Sequence, residues 1–278
     1  MKTILVADDD RILRTFVRTL LKKQKYDVAT AADGQAALGL LKKKPFDLVL
    51  LDLWMPRMNG FEVLALLKQQ PRPPRVVVMT SDETPEAMLR AVREQAYRYL
   101  TKPVDGPTLL EVVEDALEER PQSPPIEVIS AKPTWVELLV PCDLDCARRI
   151  QLFLEQLKLN LPGEVRDRVG QAFRELLTNA VEWGGKLDPN RKVRVAFVHT
   201  PRMLMYRIAD PGPGFKFEGL THAAVGHPPG DDPMVHMEER EKKGLRPGGL
   251  GIFMSRELVD DLVYNEAQNE VLFVKYLS

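Results

Sequence analysis

Apolar runs of strand length alternate with stretches of helical periodicity through the first 119 residues of the chain. Runs such as Ile4–Ala7 and Val76–Met79 are each followed by a segment whose apolar positions recur three or four residues apart. Five such alternations are typical of an α/β doubly wound domain with a parallel five-stranded sheet. The helices are predicted at residues 11–23, 33–43, 59–70, 84–95 and 106–119.

A different order of elements is predicted for the second half of the chain. Helices there come in runs, and two strands flank Thr200–Arg202 as in a hairpin. This order predicts an α+β two-layer sandwich with helices on one face of a mixed or antiparallel sheet. Residues 211–248 are rich in Gly, Pro, His and charge, as functional or mobile loops often are. The remaining predictions are a strand at 135–140, helices at 144–159, 163–183 and 249–260, and strands on either side of 266–269.

Prolines mark the boundary between the two patterns. Residues 121–133 hold four of them, so neither a helix nor a central strand is favoured there. We interpret the segment as a semi-stiff linker. The sequence therefore predicts one domain at 1–119, a Pro-rich linker at 120–133 and a second domain at 134–278.

Polar side chains follow the predicted strands of the first domain. Asp52 ends an apolar run, Asp8 and Asp9 follow another, and Thr80 and Lys102 follow two more. A lone Asp at a strand end is more often structural, but parallel strands bring all these groups to one edge of the sheet. Three carboxylates stay ionised together only if a cation neutralises them, and Mg²⁺ suits carboxylate oxygens. Lys102 would pair with an anion added at Asp52, and the Thr80 hydroxyl would donate to it.

Residues 1–119 resemble the receiver domain of two-component response regulators. The resemblance implies that a histidine kinase phosphorylates Asp52 in a Mg²⁺-dependent reaction, with Thr80 and Tyr99 moving when the phosphate arrives. Gln95 departs from the family pattern, which commonly has Gly at this position. The matching motifs are Asp8-Asp9, Asp52 with Met55-Pro56 and Asn59-Gly60, Thr80, Tyr99 and Lys102-Pro103.

Composition narrows the function classes. A chain of 278 residues that is 44% apolar is long enough for two cores. A formal net charge of −1 and the lack of a basic helix-turn-helix segment argue against direct binding to nucleic acid. Cys142 and Cys146 are too few for a disulfide framework or a four-ligand zinc site. No signal segment or membrane span is recognised, so we expect a soluble cytoplasmic protein with no membrane partner.

Glu175 and Asn179 form the first polar pair of interest in the second domain. They lie four residues apart in a predicted helix, so they share one face. A solvated polar face is the simpler interpretation of such a pair. The apolar residues around it, including Phe173 and Leu176, favour instead a pair that lines a pocket.

Two glycine clusters follow. In Asp210-Pro-Gly212-Pro-Gly214 the glycines would let the backbone approach a ligand, and the carboxylate would accept a hydrogen bond from an amine such as that of adenine. A plain turn is the alternative. Gly248, Gly249 and Gly251 stand at a predicted helix start, where backbone amides favour a phosphate.

Residues 134–278 resemble the GHKL (Bergerat-fold) ATPase superfamily, and within it the anti-sigma-factor serine/threonine kinases. The motifs quoted above, together with the Asn269-Glu270-Val271 run, carry the resemblance. It implies that Asn179 binds the Mg²⁺ carried on ATP and that Glu175 is the general base for a protein hydroxyl. It further implies that Asp210 reads adenine and that residues 215–247 form an ATP lid. By the same resemblance Gly212 and Gly214 shape the adenine pocket, Gly249 and Gly251 approach the phosphates, and Gly248 belongs to the same ATP-binding glycine box.

Departures from the family limit the transfer. Many members place a His three residues after the Asn-Ala pair, where this chain has Trp183. His222, His227 and His236 have irregular spacings, so a solvated loop is simpler than a metal site. No histidine stands on a predicted dimerisation helix, which argues against histidine autokinase activity.

The leading hypothesis is a response regulator whose phosphorylation controls a protein serine/threonine kinase. Its expected partners are a histidine kinase, a STAS-type anti-anti-sigma protein and a sigma factor, with Mg²⁺ and ATP as cofactors. The alternative is a non-catalytic ATP-binding module that sequesters a partner under control of the receiver. The signal would pass through the face with Thr80 and Tyr99 to the lid or to a second copy in a homodimer.

Overall fold

Two compact units make up the chain, Met1–Gln122 and Ser123–Ser278. Among the described residues no helix combines the length and apolar character needed to cross a bilayer. The computed structural model describes residues 1–82, 84–118, 124–132, 134–156, 161–215 and 251–277.

The first unit is an α/β domain built on a parallel sheet of order β2-β1-β3-β4-β5. Its central strand β3 is buried along its whole length, because helices cover both faces of a doubly wound sheet. This confirms the predicted fold class. The strands are β1 Thr3–Ala7, β2 Asp27–Ala31, β3 Leu48–Leu51, β4 Arg75–Thr80 and β5 Arg98–Thr101. The helices are α1 Arg11–Lys23, α2 Gly34–Leu41, α3 Gly60–Leu67, α4 Pro85–Arg93 and α5 Gly106–Leu117.

Local sequence signals account for where these helices begin. Asp10, Asp33, Asn59, Thr84 and Asp105 are the N-caps, and the side chain of each accepts a hydrogen bond from a backbone amide of the first turn. Each cap stands just after a β-strand or its loop. Helix starts therefore fall close to the carboxyl edge of the sheet.

The second unit is a six-stranded antiparallel sheet of order β10-β11-β9-β8-β7-β6 with helices packed against it. This confirms the predicted α+β class and makes the sheet antiparallel. The strands are β6 Glu127–Lys132, β7 Trp135–Pro141, β8 Lys192–Thr200, β9 Met203–Ala209, β10 Asp261–Tyr264 and β11 Glu270–Tyr276. The helices are α6 Leu144–Gln156, α7 Gly163–Asn179 and α8 Gly251–Leu258.

Aromatic side chains form the core between α7 and the sheet. Buried and less buried residues alternate along β9, as expected for a sheet with one covered face. The ring of Tyr206 lies 5.1 Å from Phe173 of α7, 4.8 Å from Phe197 of β8 and 4.9 Å from Phe273 of β11. These contacts fix α7, which carries the predicted polar pair, against the middle of the sheet.

The structure corrects two sequence predictions. Part of the predicted linker, Glu127–Lys132, is a strand that pairs with β7 at the edge of the sheet, where the prolines before it cost no ladder hydrogen bond. The predicted helix at 163–183 ends as an α-helix at Asn179 and continues as a π-helical turn, Ala180–Gly184. Helical periodicity alone does not reveal this change of winding.

Candidate functional sites

Three carboxylates meet at the carboxyl edge of the parallel sheet. Ala7 of β1 lies beside Leu51 of β3, so the residues that follow these strands become neighbours. Ligand oxygens of Asp8, Asp9 and Asp52 all lie within 4.8 Å of one another. Asp8 is fully buried and Asp52 is 5% exposed, whereas Asp9 faces solvent.

Lys102 supplies the positive charge opposite these carboxylates. Its Nζ lies 2.6 Å from Asp52 Oδ2 and 2.7 Å from Asp8 Oδ2. Burial would lower the pKa of Lys102, but hydrogen bonds to Asp52 and Asp8 outweigh it and raise that pKa. Burial also raises the pKa of Asp8, although Lys102 opposes the change. The lysine therefore stays charged while it holds two carboxylates.

The acidic group fits a divalent cation. Asp8 Oδ2 is buried, and its one charged partner among the described residues is Lys102, 2.7 Å away. A buried carboxylate oxygen beside two further carboxylates is the kind of ligand set that Mg²⁺ prefers. Asp8, Asp9 and Asp52 would hold the ion.

Asp82 connects the other polar residues at this edge. Its backbone amide donates to Thr80 Oγ1 at 3.3 Å, and its carbonyl accepts a hydrogen bond from the Tyr99 hydroxyl. Its carboxylate accepts from Trp54 Nε1 at 3.0 Å and from Thr84 Oγ1 at 2.6 Å. Side chains from several strands and loops therefore bond to Asp82, a residue that sequence reasoning did not single out.

In the second unit, Glu175 and Asn179 lie on α7 beside the first residue of α8. A Cβ added at Gly251 would lie 2.7 Å from Glu175 Oε2 and 3.5 Å from Asn179 Nδ2. Both polar residues are half-buried, which disagrees with a fully solvated polar face. The space over Gly251 is therefore lined by a carboxylate, an amide and the amino end of a helix.

Asp210 directly follows β9, the second strand of the hairpin. Gly212 N donates to Asp210 Oδ1 at 2.7 Å, while no described residue donates to Oδ2. Burial raises the pKa of Asp210, although the Gly212 amide and Arg191 oppose the change. The Oδ2 oxygen is the acceptor left for a ligand amine.

Glycines make room for the Asp210 side chain. A Cβ at Gly184 would overlap the carboxylate, and a Cβ at Gly212 would lie 2.7 Å from Asp210 Oδ1. Gly184 ends the π-helical turn that follows Asn179. Sequence reasoning did not single out Gly184, so its packing against Asp210 was missed. The pair Gly184-Gly185 at a helix end was the available signal.

Both cysteines are free and buried. Burial raises the pKa of Cys142 to about 11 and that of Cys146 to about 12. A Cβ at Gly185 would overlap Cys142 Sγ, so this thiol packs against the turn that carries Gly184. Their role in the structure is packing.

Part of the predicted second site lies outside the described residues. Gly248 and Gly249 belong to this part, as do His222, His227, His236 and the predicted lid beyond Phe215. The predicted residues that the structure brings together are Glu175, Asn179 and Gly251 in one group and Asp210, Gly212 and Gly214 in another.

Family models match both units. The model of the response regulator receiver domain matches residues 4–114. The model of the histidine kinase-like ATPase domain matches residues 140–275.

Curated relatives share mainly the receiver. The transcriptional regulatory protein GlrR of Escherichia coli is 34% identical over 117 residues, which are 42% of this chain and only 26% of the relative. The DNA-binding response regulator MtrA of Mycolicibacterium smegmatis is 30% identical over 201 residues, 72% of this chain and 85% of the relative. The solved chemotaxis response regulator CheY4 of Vibrio cholerae is 32% identical and covers 42% of this chain and 99% of its own, with a TM-score of 0.40.

The matches to the two family models cover separate parts of the chain, 4–114 and 140–275, and each lies within its own unit. They confirm the fusion that the sequence motifs predicted. The chain belongs to the response regulators, and it joins a receiver domain to a histidine kinase-like ATPase domain.

Proposed function

We propose that phosphorylation of Asp52 controls an ATP-dependent protein serine/threonine kinase in the second unit. The observation that carries the kinase assignment is the position of Glu175, whose carboxylate lies beside Asn179 and Gly251. A base at this point is close to where phosphates would meet the amino end of α8. By family resemblance, the proposed substrate is a STAS-type anti-anti-sigma protein, with a sigma factor as a further partner.

In the receiver, the proposed donor is the phosphohistidine of a histidine kinase. An Asp52 oxygen attacks the phosphorus, an O–P bond forms, and the P–N bond breaks as the imidazole leaves with a proton from solvent. Lys102 Nζ, 2.6 Å from Asp52 Oδ2, would pair with the phosphate oxygens, and Thr80 would donate to one of them. Mg²⁺ held by Asp8, Asp9 and Asp52 would neutralise the charge that gathers there.

In the second unit, the substrate hydroxyl attacks the γ-phosphorus of ATP. Glu175 takes the hydroxyl proton, the new O–P bond forms, and the bond from the γ-phosphorus to the bridging oxygen breaks to release ADP. Asn179 would hold the Mg²⁺ carried on ATP, and Asp210 would accept from the adenine amine. Phosphoryl transfer depends mainly on such positioning and on charge stabilisation.

A second candidate is a non-catalytic ATP-binding module that sequesters its partner. The observation that favours it is the exposure of Phe253 and Met254 on α8, 43% and 37%, next to the proposed phosphate site. Apolar side chains exposed in this way suit a surface that a partner protein covers.

The deciding experiment measures ATP·Mg²⁺ binding and transfer of labelled γ-phosphate to STAS proteins of the same organism, using the full chain. Glu175→Gln should bind ATP like the wild type and lose transfer by about 100-fold or more, because the base is gone. Asn179→Ala should lose ATP binding. Glu164→Gln, an exposed glutamate of the same helix, should change neither.

Each outcome separates the candidates. Equal transfer by Glu175→Gln and the wild type would remove Glu175 as the base. Tight ATP binding without transfer to any STAS protein would favour the sequestering module. Absence of ATP binding would reject both.

A further inference from the structure

The turn between β10 and β11 binds the short segment that carries Asp210. Asp210 N donates to the Asn269 carbonyl at 2.8 Å, and Asn269 Nδ2 donates to the Gly212 carbonyl at 2.9 Å. One residue therefore holds both ends of the segment Asp210–Gly212. The second of these bonds belongs to a side chain, so a substitution can remove it while the sheet ladder stays.

Asn269 is itself held in place. Asn265 Nδ2 donates to Asn269 Oδ1 at 2.8 Å, and Asn269 N donates to Asn265 Oδ1 at 3.1 Å. Gly214 lies against the same turn with φ +85°, where a Cβ would overlap the Ala267 carbonyl. The amide of Asn269 thus has a fixed orientation when it meets Gly212.

Arg191 holds the same segment from a second point. Its guanidinium donates to the carbonyl of Pro211, the residue between Asp210 and Gly212. Consecutive carbonyls of the segment are therefore bound by two side chains from distant parts of the chain. Since Gly212 N in turn fixes Asp210 Oδ1, the direction of the open Oδ2 depends on where the segment is held.

We propose that Asn269 and Arg191 are positioning residues that set the preference of this site for a purine with an exocyclic amine. They act through Asp210, which presents Oδ2 to the amine. The inference rests on the proposed nucleotide-binding function of the second unit. It assigns roles to two residues that bind the Asp210–Gly212 segment through its backbone.

The test compares ATP with ITP, which has an oxygen in place of the amine. Calorimetry on the full chain with Mg²⁺ gives the affinity for each nucleotide. The wild type should favour ATP, and Asn269→Ala should reduce the ATP-to-ITP affinity ratio by about fivefold or more, as expected when a hydrogen bond that orients the acceptor is lost. Asn190→Ala is the matched control, because among the described residues this exposed amide donates only within its own turn, to Asp188 at 3.0 Å.

The nucleotide ratio distinguishes positioning from general damage. If Asn269→Ala weakens ATP and ITP equally, or changes neither, the positioning role is overturned. If Asn269→Ala does not fold by circular dichroism, Arg191→Met carries the test, with the same expected fall and the same overturning result. A wild type that binds ATP and ITP equally overturns this inference alone, whereas one that binds neither nucleotide overturns the proposed function as well.

Discussion

Folding buries the Asp8 carboxylate fully and the Asp210 carboxylate partly, and burial raises the pKa of each. Their surroundings differ. Asp8 pairs with Lys102 at 2.7 Å, whereas Asp210 has the Gly212 amide on one oxygen and no described donor on the other. Carboxylates at ligand-binding sites often have raised pKa values. Burying their charge lowers the stability of the fold, but it leaves an acceptor for a ligand.

The first prediction concerns Asp210→Asn. Because the folded-state pKa of Asp210 lies above the ordinary value of 3.8, the charged carboxylate destabilises the fold at every pH above that folded-state pKa. The variant keeps an oxygen for Gly212 N and removes the charge, so it should melt at a higher temperature near neutral pH. Its gain should shrink as the pH falls through the folded-state pKa and vanish below 3.8.

The same variant should bind ATP about tenfold more weakly or worse, because a charged acceptor is lost. Melting curves from acid to neutral pH and calorimetry with ATP test the two effects together. Equal stability of the variant and the wild type at neutral pH would contradict the inference that the charged Asp210 carboxylate destabilises the fold.

The second prediction concerns Gly184→Ala. The added methyl group would overlap the Asp210 carboxylate, so either the carboxylate or the π-helical turn must move. We expect a loss of about 1–3 kcal/mol in the free energy of unfolding and weaker ATP binding. Gly163→Ala is the matched control, since a Cβ there would lie 3.9 Å from the end of the Arg166 side chain, an ordinary contact distance. Denaturant titration and calorimetry should separate the two variants, and equal behaviour would count against the close contact.

At the scale of elements, the strand ends and helix starts of the receiver follow closely from its sequence. The capping residues and apolar runs are local signals, and α1 and β3 lie where such signals predict them. Other features depend on tertiary contacts. The π-helical turn exists where Gly184 and Gly185 pack against Asp210 and Cys142, and strand β6 exists because β7 offers a free edge. No local pattern in either segment predicts these partners.

Backbone conformation explains the one noted departure in the receiver. Gln95 has φ +65°, a left-handed conformation in which Gly is strained least. The family pattern of Gly at this position therefore reflects the turn between α4 and β5. The sequence shows that Gln95 replaces the usual Gly, but only the structure shows the positive φ angle that explains the preference for Gly.

The third prediction concerns the β4–α4 loop. Trp54 Nε1 donates to the Asp82 carboxylate, and Tyr99 donates to the Asp82 carbonyl, so these bonds stabilise the unphosphorylated loop. Trp54→Phe keeps an aromatic ring beside Phe61 and removes the donor. If phosphorylation moves Thr80 and Tyr99, loss of this bond should raise the affinity for beryllofluoride about fivefold, as about 1 kcal/mol of ground-state stabilisation disappears.

Calorimetric titration of beryllofluoride in the presence of Mg²⁺ measures this affinity. Trp183→Phe changes a comparably exposed tryptophan of the second unit and should leave the affinity unchanged. A weaker or unchanged affinity in Trp54→Phe would mean that the Trp54–Asp82 bond is equally strong in both states.

At the scale of the whole molecule, each unit has its own core and its own candidate site. The sequence predicted both fold classes and most of the residues that the two sites bring together, because the motifs stand at strand ends and helix starts. It did not predict Asp82, Gly184 or the Asn269 side-chain bond. These residues lie far along the chain from the groups they contact, so only the fold shows the contacts.

The fourth prediction concerns coupling between the units. If beryllofluoride at Asp52 changes the ATP affinity by some factor, ATP must change the beryllofluoride affinity by the same factor. We expect a factor of about 5–150, the usual range of allosteric coupling. Paired calorimetric titrations measure both sides, and Asp52→Asn and Asn179→Ala should each abolish the effect. Independent affinities would show that the receiver controls something other than nucleotide binding.

The π-helical turn also bears on how insertions and deletions affect this protein. Gly185 N bonds to the Ala180 carbonyl, a spacing that holds one residue more than an α-helical turn. A single-residue deletion within 180–184 could therefore restore regular winding without shifting the helix that carries Glu175 and Asn179. Gly184 would then leave Asp210. Removing one residue from this turn would thus affect only one half of the proposed nucleotide site. The phosphate end would stay intact, whereas the purine end would lose the support of the turn.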